Sequence, residues 1–300
     1  MRGLYNLVRL TRPSHWIKNS FVFAALIFSR KVLDRDAVLE SLIALAAFCL
    51  ASSAVYTFND ILDAKQDASH PTKRRRPIAA GEIHPQWAAV FGFVLTGAAL
   101  AVGWTLRTPF SAIVGAYLVI MFLYVLGLKR IAVLDVLIIA LGFVLRAYGG
   151  GVAIDVWVSP WLILCTLTLA LFLGFAKRES ERAALGPAAG ETRAVEWAAY
   201  DPKSLDHMMT VSAALAIVTY MLYTVSAETT RQVGHSLMFL TVLPVVYAIF
   251  RFYRMAISGR ATGPVEMVRR DPAFVVALTV WLGIVAVLMF GWLGTGTVVR

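Results

Sequence analysis

The chain has 300 residues with a mean hydropathy of +0.72, and only 15% of the residues are charged. So few charged side chains cannot cover the surface of a chain of this length, and the composition therefore excludes a soluble globular fold. The net charge of +10 could indicate nucleic acid binding, but the cations lie in loops beside long apolar segments, as in membrane proteins, so we expect no nucleic-acid partner.

Nine apolar segments are expected to cross a lipid bilayer as helices, because about 20 apolar residues span a hydrocarbon core about 30 Å thick. In chain order these predicted spans cover residues 20–28, 38–58, 86–106, 110–128, 132–154, 157–176, 208–226, 236–250 and 273–292. The first span is short and crosses only if Trp16 and its neighbours contribute. The predicted fold is an all-α integral membrane bundle of nine transmembrane helices, forming one domain over residues 1–300.

Lysine and arginine residues concentrate on one side of these spans. The N-terminal segment and the loops after the second, fourth, sixth and eighth predicted helices contain 21 of the 28. Cytoplasmic loops of membrane proteins carry such an excess, so we expect a multi-pass cell-membrane protein with these loops and the N-terminus in the cytoplasm. An odd number of spans then places the C-terminus on the opposite side.

The end of the second predicted span carries the most specific motif, Asn59-Asp60-x-x-Asp63-x-x-x-Asp67. If the helix continues through it, the aspartates recur at i, i+3 and i+7 and share one solvent-facing side. Three carboxylates this close repel one another unless a cation lies between them, and oxygen ligands shared with substrate phosphates are typical of Mg²⁺. We predict that Asp60, Asp63 and Asp67 are catalytic and that Asn59, Asp60 and Asp63 bind Mg²⁺. The alternative is a solvated helix end before a basic loop.

A basic run follows this motif and contains Lys73, Arg74 and Arg76. Guanidinium and ammonium groups bind phosphate oxygens through charge-assisted hydrogen bonds. We therefore expect these three side chains to hold the same substrate phosphates as the metal.

The fifth predicted span begins with a second group of charged residues. Lys129 and Arg130 precede it, Asp135 lies just inside it, and Arg146 follows eleven residues later. That spacing is about three turns, so Asp135 and Arg146 share a face, with Arg146 about 16 Å deeper. An arginine at this depth normally faces a polar cavity or a charged partner. We predict that Arg146 contacts substrate; the alternative is a buried pair with a carboxylate that fixes helix packing.

Other polar residues lie on the same predicted side as the aspartate motif. Lys18 and Arg178 are either membrane anchors or substrate contacts, and Asp206 is either a substrate contact or an ordinary helix-start carboxylate. The shared side favours substrate binding, and the predicted set consists of Lys18, Asn19, Lys177, Arg178, Tyr200 and Asp206.

These motifs resemble those of the UbiA superfamily of intramembrane prenyltransferases. The aspartate motif with nine helices is similar to the superfamily as a whole. Finer features resemble its decaprenyl-phosphate phosphoribosyltransferase branch, namely Arg12-Pro13-x-x-Trp16-x-Lys18-Asn19, His70-Pro71-Thr72-Lys73-Arg74-x-Arg76-Pro77, Leu128-Lys129-Arg130 through Asp135, Gly142-Phe143-x-Leu145-Arg146 and Gly174-Phe175-x-Lys177-Arg178.

The resemblance implies a UbiA-like helical bundle and a reaction. In that branch, 5-phosphoribose passes from phosphoribosyl diphosphate (PRPP) to a polyprenyl phosphate of the decaprenyl type in the lipid bilayer, with Mg²⁺ present and diphosphate released. Its expected role is to supply lipid-linked pentose for cell-envelope polysaccharide. Whether the chain assembles into a homo-oligomer is left open by the sequence.

Roles for the charged residues follow from this implied reaction. The metal and the basic run would stabilise the leaving diphosphate. Lys129 and Arg130 are expected to hold the acceptor phosphate, with Lys177 and Arg178 at the remaining phosphate.

The loop before the seventh predicted span departs from the aromatic prenyltransferase pattern Asp-x-x-x-Asp. It offers Asp201 and Asp206, five positions apart with Pro202 between them. Tyr200 with Asp206 is closer to the phosphoribosyltransferase version. Asp135 and Asp206 are expected to bind either ribose hydroxyls or a second metal ion.

Two other functions are kept as alternatives. An aromatic prenyltransferase would use the same metal site to activate a prenyl diphosphate. A transporter is disfavoured, because transporters show internal repeats and midplane binding residues, whereas these carboxylates cluster at one membrane face.

Overall fold

The computed structural model describes residues 2–69, 73–185, 200–260 and 263–291, and every regular element in these ranges is a helix. The α-helices are α1 (Arg2–Thr11), α2 (Phe23–Phe28), α3 (Arg35–Leu62), α4 (Ala64–Ala68), α5 (Pro85–Leu106), α6 (Thr108–Leu126), α7 (Leu134–Ala153), α8 (Pro160–Leu185), α9 (Pro202–Val225), α10 (Ala227–Val233), α11 (Val242–Ile257), α12 (Pro264–Arg270) and α13 (Pro272–Phe290). Four 3₁₀ segments cover Pro13–Val22, Lys73–Arg75, Leu128–Arg130 and Leu237–Thr241. The predicted all-α fold is confirmed.

The chain divides into two compact units, Met1–Leu162 and Ile163–Arg300. The single domain over residues 1–300 stays a prediction. Residues 70–72 of the predicted basic motif and the predicted end of the last span, after residue 291, lie outside the described residues.

Eight of the described helical stretches are long and apolar enough to cross a membrane, one fewer than the nine predicted. The difference is the first predicted span, residues 20–28, which forms the end of the 3₁₀ segment Pro13–Val22 and the short helix α2. With six residues, α2 is about 9 Å long at 1.5 Å per residue, too short for a hydrocarbon core of about 30 Å. Asn19, directly before the predicted span, lies in the same 3₁₀ segment, and its side chain is fully buried.

Helix α3 is the central element of the first unit and packs against α5, α6 and α7. One side of α3 consists of small, fully buried side chains, Ala44, Ala47, Ala51 and Ala54. Small side chains let neighbouring helices approach closely, which is the usual way in which membrane helices associate. Phe48 lies among them and contacts Phe110 edge to face, with ring centroids 5.9 Å apart.

The length of α3 determines where the aspartate motif lies. Its 28 residues extend about 42 Å, longer than a hydrocarbon core of about 30 Å. The last turn, with Asn59 and Asp60, therefore reaches the membrane boundary. The sequence predicted one helix through the motif, but α3 ends at Leu62, and α4 begins after Asp63 at φ −90° and ψ 0°. The break is small, because the Asp63 amide still donates to the Asn59 carbonyl oxygen at 2.9 Å and the Asp67 amide to the Asp63 carbonyl oxygen at 2.8 Å.

Gly150 in α7 permits a close approach of the N-terminal 3₁₀ segment. A Cβ atom at this position would lie 2.0 Å from the carbonyl oxygen of Val22. A residue without a side chain is therefore needed for this contact.

Two helices of the second unit are longer than predicted. Helix α9 begins at Pro202 rather than at residue 208, because the Asp201 carboxylate accepts a hydrogen bond from the Ser204 amide at 3.1 Å and Pro202 starts the first turn. Asp206 therefore lies inside α9 instead of preceding it. Helix α8 continues past residue 176, so Lys177 and Arg178 are helical residues as well.

Candidate active site

Two of the three motif carboxylates are buried and share one guanidinium nitrogen. Asp60 lies in the last turn of α3 and Asp67 lies in α4, and each is only 2% exposed. Arg76 Nη1 lies 3.1 Å from Asp60 Oδ1 and 2.5 Å from Asp67 Oδ2. Buried carboxylates remain charged only when they are paired, so Arg76 compensates both. The expected solvent-facing location is wrong for Asp60 and Asp67, because α4 and the basic loop after it cover them.

The third carboxylate, Asp63, pairs with a lysine from the loop after α6. Lys129 Nζ lies 2.7 Å from Asp63 Oδ1 and 2.8 Å from Asp63 Oδ2. The same ammonium group donates to Asn59 Oδ1 at 3.1 Å. The structure therefore brings Asn59, Asp63 and Lys129 together, although Lys129 follows Asp63 by 66 positions in the chain.

Arg12 is a site residue that the sequence prediction did not include. Its guanidinium group donates to Asp60 and lies over the Tyr56 ring, 5.1 Å from the centroid. Arg12 has φ 49°, which turns the chain sharply before the 3₁₀ segment Pro13–Val22. Trp16 fixes this turn, because its indole Nε1 lies 3.1 Å from the Thr11 carbonyl oxygen. The available signal was an arginine placed directly before Pro13 in an aromatic, basic segment.

The oxygen atoms of the motif are chemically suited to Mg²⁺. Carboxylate and amide oxygens are the ligands this ion takes, commonly with substrate phosphates completing its shell. In the part of the chain that the structure describes, no three His, Cys, Asp or Glu side chains are placed around a single ion position. The reason is that Arg76 lies between Asp60 and Asp67 while Lys129 occupies the oxygens of Asp63. Mg²⁺ at Asn59, Asp60 and Asp63 stays a prediction.

A cavity of about 440 Å³ adjoins Asp60 within the first unit. Its charged lining consists of five cations and one carboxylate, namely Arg9, Arg12, Lys73, Arg75, Arg76 and Asp60. This excess of positive charge suits a ligand that carries several negative charges. Its volume lies within the range of about 300–1,000 Å³ that is usual for small-molecule sites.

Other predicted residues of the first unit lie outside this cluster. Among the residues that the structure describes, Arg74 and Arg130 are exposed and form no ion pair with the motif carboxylates. Lys18 is exposed in the 3₁₀ segment, and Asp135 is buried in the first turn of α7. Lys73 does line the cavity.

Arg146 is buried in a network of neutral hydrogen-bond acceptors. Its Nε donates to Asn19 Oδ1 at 2.7 Å, its Nη1 to the Gly142 carbonyl oxygen at 2.8 Å, and its Nη2 to the Tyr117 hydroxyl at 2.7 Å. Asn19 in turn donates to Ser52 Oγ at 3.2 Å. No carboxylate of the described residues pairs with Arg146, so the alternative of a carboxylate partner is wrong there. The network joins α7, α6 and α3 to the N-terminal 3₁₀ segment.

In the second unit, the predicted residues have partners of their own. Asp206 Oδ1 accepts a hydrogen bond from the Tyr253 hydroxyl at 2.9 Å, and Tyr200 is buried. Lys177 Nζ lies 3.7 Å and Arg178 Nη1 3.6 Å from the carboxylate of Glu181. Substrate contacts by these four residues stay predictions.

An ion pair in α8 between a buried carboxylate and an exposed arginine was also missed by the sequence prediction. Glu179 is 3% exposed and accepts hydrogen bonds from two nitrogens of Arg182, which is three positions later. Opposite charges at this helical spacing were the available signal.

A family model and relatives with curated names match this chain over most of its length. The model of the UbiA prenyltransferase family matches residues 20–262. A protein of Mycolicibacterium smegmatis named "Decaprenyl-phosphate phosphoribosyltransferase" is 32% identical over 296 residues, covering 95% of this chain and 92% of that protein. A protein with the same name from Mycobacterium tuberculosis strain H37Rv is 31% identical over 293 residues and covers 95% of each chain.

Solved structures are similar in fold. A UbiA homolog from Archaeoglobus fulgidus bound to GPP and Mg²⁺ superposes with a TM-score of 0.70 at 16% identity, covering 97% of this chain and 100% of the homolog. The apo structure of a UbiA homolog from Aeropyrum pernix K1 superposes with a TM-score of 0.62 at 16% identity, covering 93% and 98%. At this identity the likeness shows the fold alone.

Proposed function

The chain belongs to the UbiA prenyltransferase family, and from this premise we propose that it transfers 5-phosphoribose from PRPP to a polyprenyl phosphate, releasing diphosphate. The similarity to proteins named decaprenyl-phosphate phosphoribosyltransferase over 95% of the chain supports this branch of the family. The product would serve as lipid-linked pentose for cell-envelope polysaccharide. In this proposal the site lies on the cytoplasmic side of the membrane, which the excess of cations in its loops supports.

The observation that carries the proposal is the cationic cavity beside Asp60. Five cations face it and only one carboxylate does. A prenyl diphosphate presents one charged head group, whereas PRPP carries a diphosphate at one end and a phosphate at the other. Arg9, Arg12 and Arg76 have carboxylate partners, but Arg75 forms no ion pair among the described residues, so a donor with a second anionic end fits this lining better.

Departure of diphosphate from the anomeric carbon builds negative charge on the leaving group and oxocarbenium character on the ribose. Mg²⁺, when bound by Asn59, Asp60 and Asp63, would supply positive charge that stabilises the leaving diphosphate. Arg12 and Arg76 both contact Oδ1 of Asp60, and both residues line the cavity. Such preorganised cations stabilise developing charge without further rearrangement.

The acceptor is the phosphate of the lipid, which is already an anion at neutral pH and needs no strong base. It needs a cation that holds it close to the anomeric carbon. Lys129 fits this role, because its ammonium group lies at the Asp63 and Asn59 side chains, within the same motif that binds the donor. Arg130 follows it in the same short loop.

The experiment is a product assay with the purified chain in detergent. PRPP, Mg²⁺ and polyprenyl phosphates of graded length are supplied together, and the lipid extract is analysed by mass spectrometry. The expected product is a polyprenyl phosphate heavier by one phosphoribosyl group. A chain that makes no such lipid, but prenylates an aromatic acceptor from a prenyl diphosphate, is an aromatic prenyltransferase instead.

A further inference from the structure

The charged lining of the cavity beside Asp60 falls into two parts that differ in composition. In one part, Arg12 and Arg76 both contact Asp60. In the other part, Arg9 donates a hydrogen bond to the Arg75 carbonyl oxygen. The carboxylate of the lining belongs to the first part alone, so a ligand along this wall meets one part with a carboxylate and one part without any.

In the Arg9–Arg75 part, Arg9 anchors the backbone and Arg75 supplies the charge. Arg9 comes from α1, and its two contacts, with Glu82 and with the Arg75 carbonyl oxygen, anchor it to the basic loop. The first contact neutralises Arg9, and the second holds the 3₁₀ turn Lys73–Arg75 in position. Glu82 does not line the cavity.

Arg75 is the cation of this part that has no counter-charge among the described residues. Its side chain is exposed and lines the cavity, and its guanidinium group forms no hydrogen bond or ion pair with the residues that the structure describes. A guanidinium group offers a planar fork of donors that matches the oxygens of a phosphate. It can therefore bind a phosphate without first releasing a carboxylate.

We propose that Arg75, on the surface fixed by Arg9, binds the 5-phosphate monoester of the donor, while the diphosphate lies at Asp60 with Arg12 and Arg76. This inference rests on the proposed function and deepens it by assigning the two anionic ends of the donor to two parts of one cavity. It also separates the donor phosphate from the acceptor phosphate, which would lie at Lys129.

The test uses the full chain in detergent with two fragments of the donor, ribose 5-phosphate and inorganic diphosphate with Mg²⁺. Binding of each is measured by calorimetry for the parent chain and for Arg75→Ala. Loss of one charge-assisted contact weakens ribose 5-phosphate binding and raises the KM for PRPP by roughly tenfold or more. The affinity for diphosphate and the KM for polyprenyl phosphate are expected to stay unchanged.

Lys65→Ala is the matched control, because Lys65 is an exposed cation of α4 in the same unit and does not line the cavity. It removes one positive charge and is expected to change none of these values. Arg75→Gln, which keeps a polar side chain of similar length, replaces Arg75→Ala if that variant misfolds.

Each other outcome overturns the inference in a recognisable way. A higher KM for polyprenyl phosphate would assign Arg75 to the acceptor, and an equal loss of diphosphate affinity would make it a general anion contact. If the chain uses PRPP but does not bind ribose 5-phosphate, the assignment of the 5-phosphate to Arg75 is wrong and the proposed function is unaffected. If ribose 5-phosphate binds through Arg75 but the chain cannot use PRPP, the proposed function is wrong instead.

Discussion

Asp63 is the motif carboxylate whose substitution best separates chemistry from folding. Its side chain is 20% exposed and contacts Lys129, which is itself partly exposed. Asp60 and Asp67 are each 2% exposed and both pair with Arg76, so the loss of either carboxylate leaves the partly buried guanidinium group of Arg76 without its full counter-charge. Substitutions at Asp60 are therefore expected to lower stability as well as activity.

Asp63→Asn is predicted to lower kcat by at least about a hundredfold, the loss typical when one preorganised electrostatic group is removed from an active site. The melting temperature should stay close to that of the parent chain. Asp36→Asn is the control, since Asp36 is an exposed acid in the first turn of α3, at the end remote from the motif. Steady-state kinetics and thermal unfolding check both variants. Full activity of Asp63→Asn would remove the carboxylate from the mechanism.

Arg146→Leu is predicted to lower the melting temperature clearly. It leaves the Asn19 amide oxygen and the Tyr117 hydroxyl without their donor, and each buried unsatisfied group costs about 1–3 kcal/mol. Tyr117→Phe removes a single acceptor and should cost less. Thermal unfolding without substrate measures this order. An unchanged melting temperature together with lost turnover would instead support the substrate contact predicted from the sequence.

The sequence could not predict which side chains of the site contact one another. The positions of Asp63 and Lys129 predicted that both lie at the same membrane face. Their contact at 2.7 Å depends on how α3 and the loop after α6 are rotated toward one another, and packing across the whole unit sets that rotation. The same holds for Arg12, whose left-handed backbone aims its side chain at Asp60.

At the scale of elements, the N-terminal 3₁₀ segment positions the site. It follows Arg12 directly, carries Asn19 into the Arg146 network, and passes Gly150 of α7 so closely that no side chain fits between them. Any shift of this segment is therefore transmitted to the contact between Arg12 and Asp60.

Gly150→Ala is predicted to lower both the melting temperature and turnover, because its Cβ would lie 2.0 Å from the Val22 carbonyl oxygen and force the segment away. Gly97→Ala in α5 is the matched control, since a Cβ there meets nothing within 4 Å. Alanine is favoured over glycine inside a helix by up to about 1 kcal/mol, so the control should be neutral or stabilising. Equal behaviour of the two variants would show that the close approach does not matter.

Most elements could be predicted because their apolar length alone requires a membrane helix. The exceptions have local causes. The N-terminal stretch is a 3₁₀ segment whose Asn19 amide is used inside the unit, and the cap at Asp201 starts α9 earlier than the apolar run does. The break at Asp63 had no sequence signal, since its neighbours favour a continuous helix.

At the scale of the whole molecule, the anionic groups of the substrates have to meet cations of the site. The net charge is +10, and the proposed reaction brings three anionic groups together, namely two on the donor and one on the acceptor. Within the first unit, Lys129 and the cavity cations lie at one motif, so both substrates would meet there. An aromatic acceptor would leave part of this charge unmatched.

The choice of donor is the central claim, and thermal unfolding of the purified chain with Mg²⁺ and either PRPP or geranyl diphosphate tests it most directly. A ligand that binds only the folded state stabilises it by about 2.7 kcal/mol at a hundredfold excess over its Kd. We predict a clear rise in melting temperature with PRPP, removed by EDTA, and little or no rise with geranyl diphosphate. A rise with geranyl diphosphate but none with PRPP would contradict the account and assign the chain to the aromatic prenyltransferases.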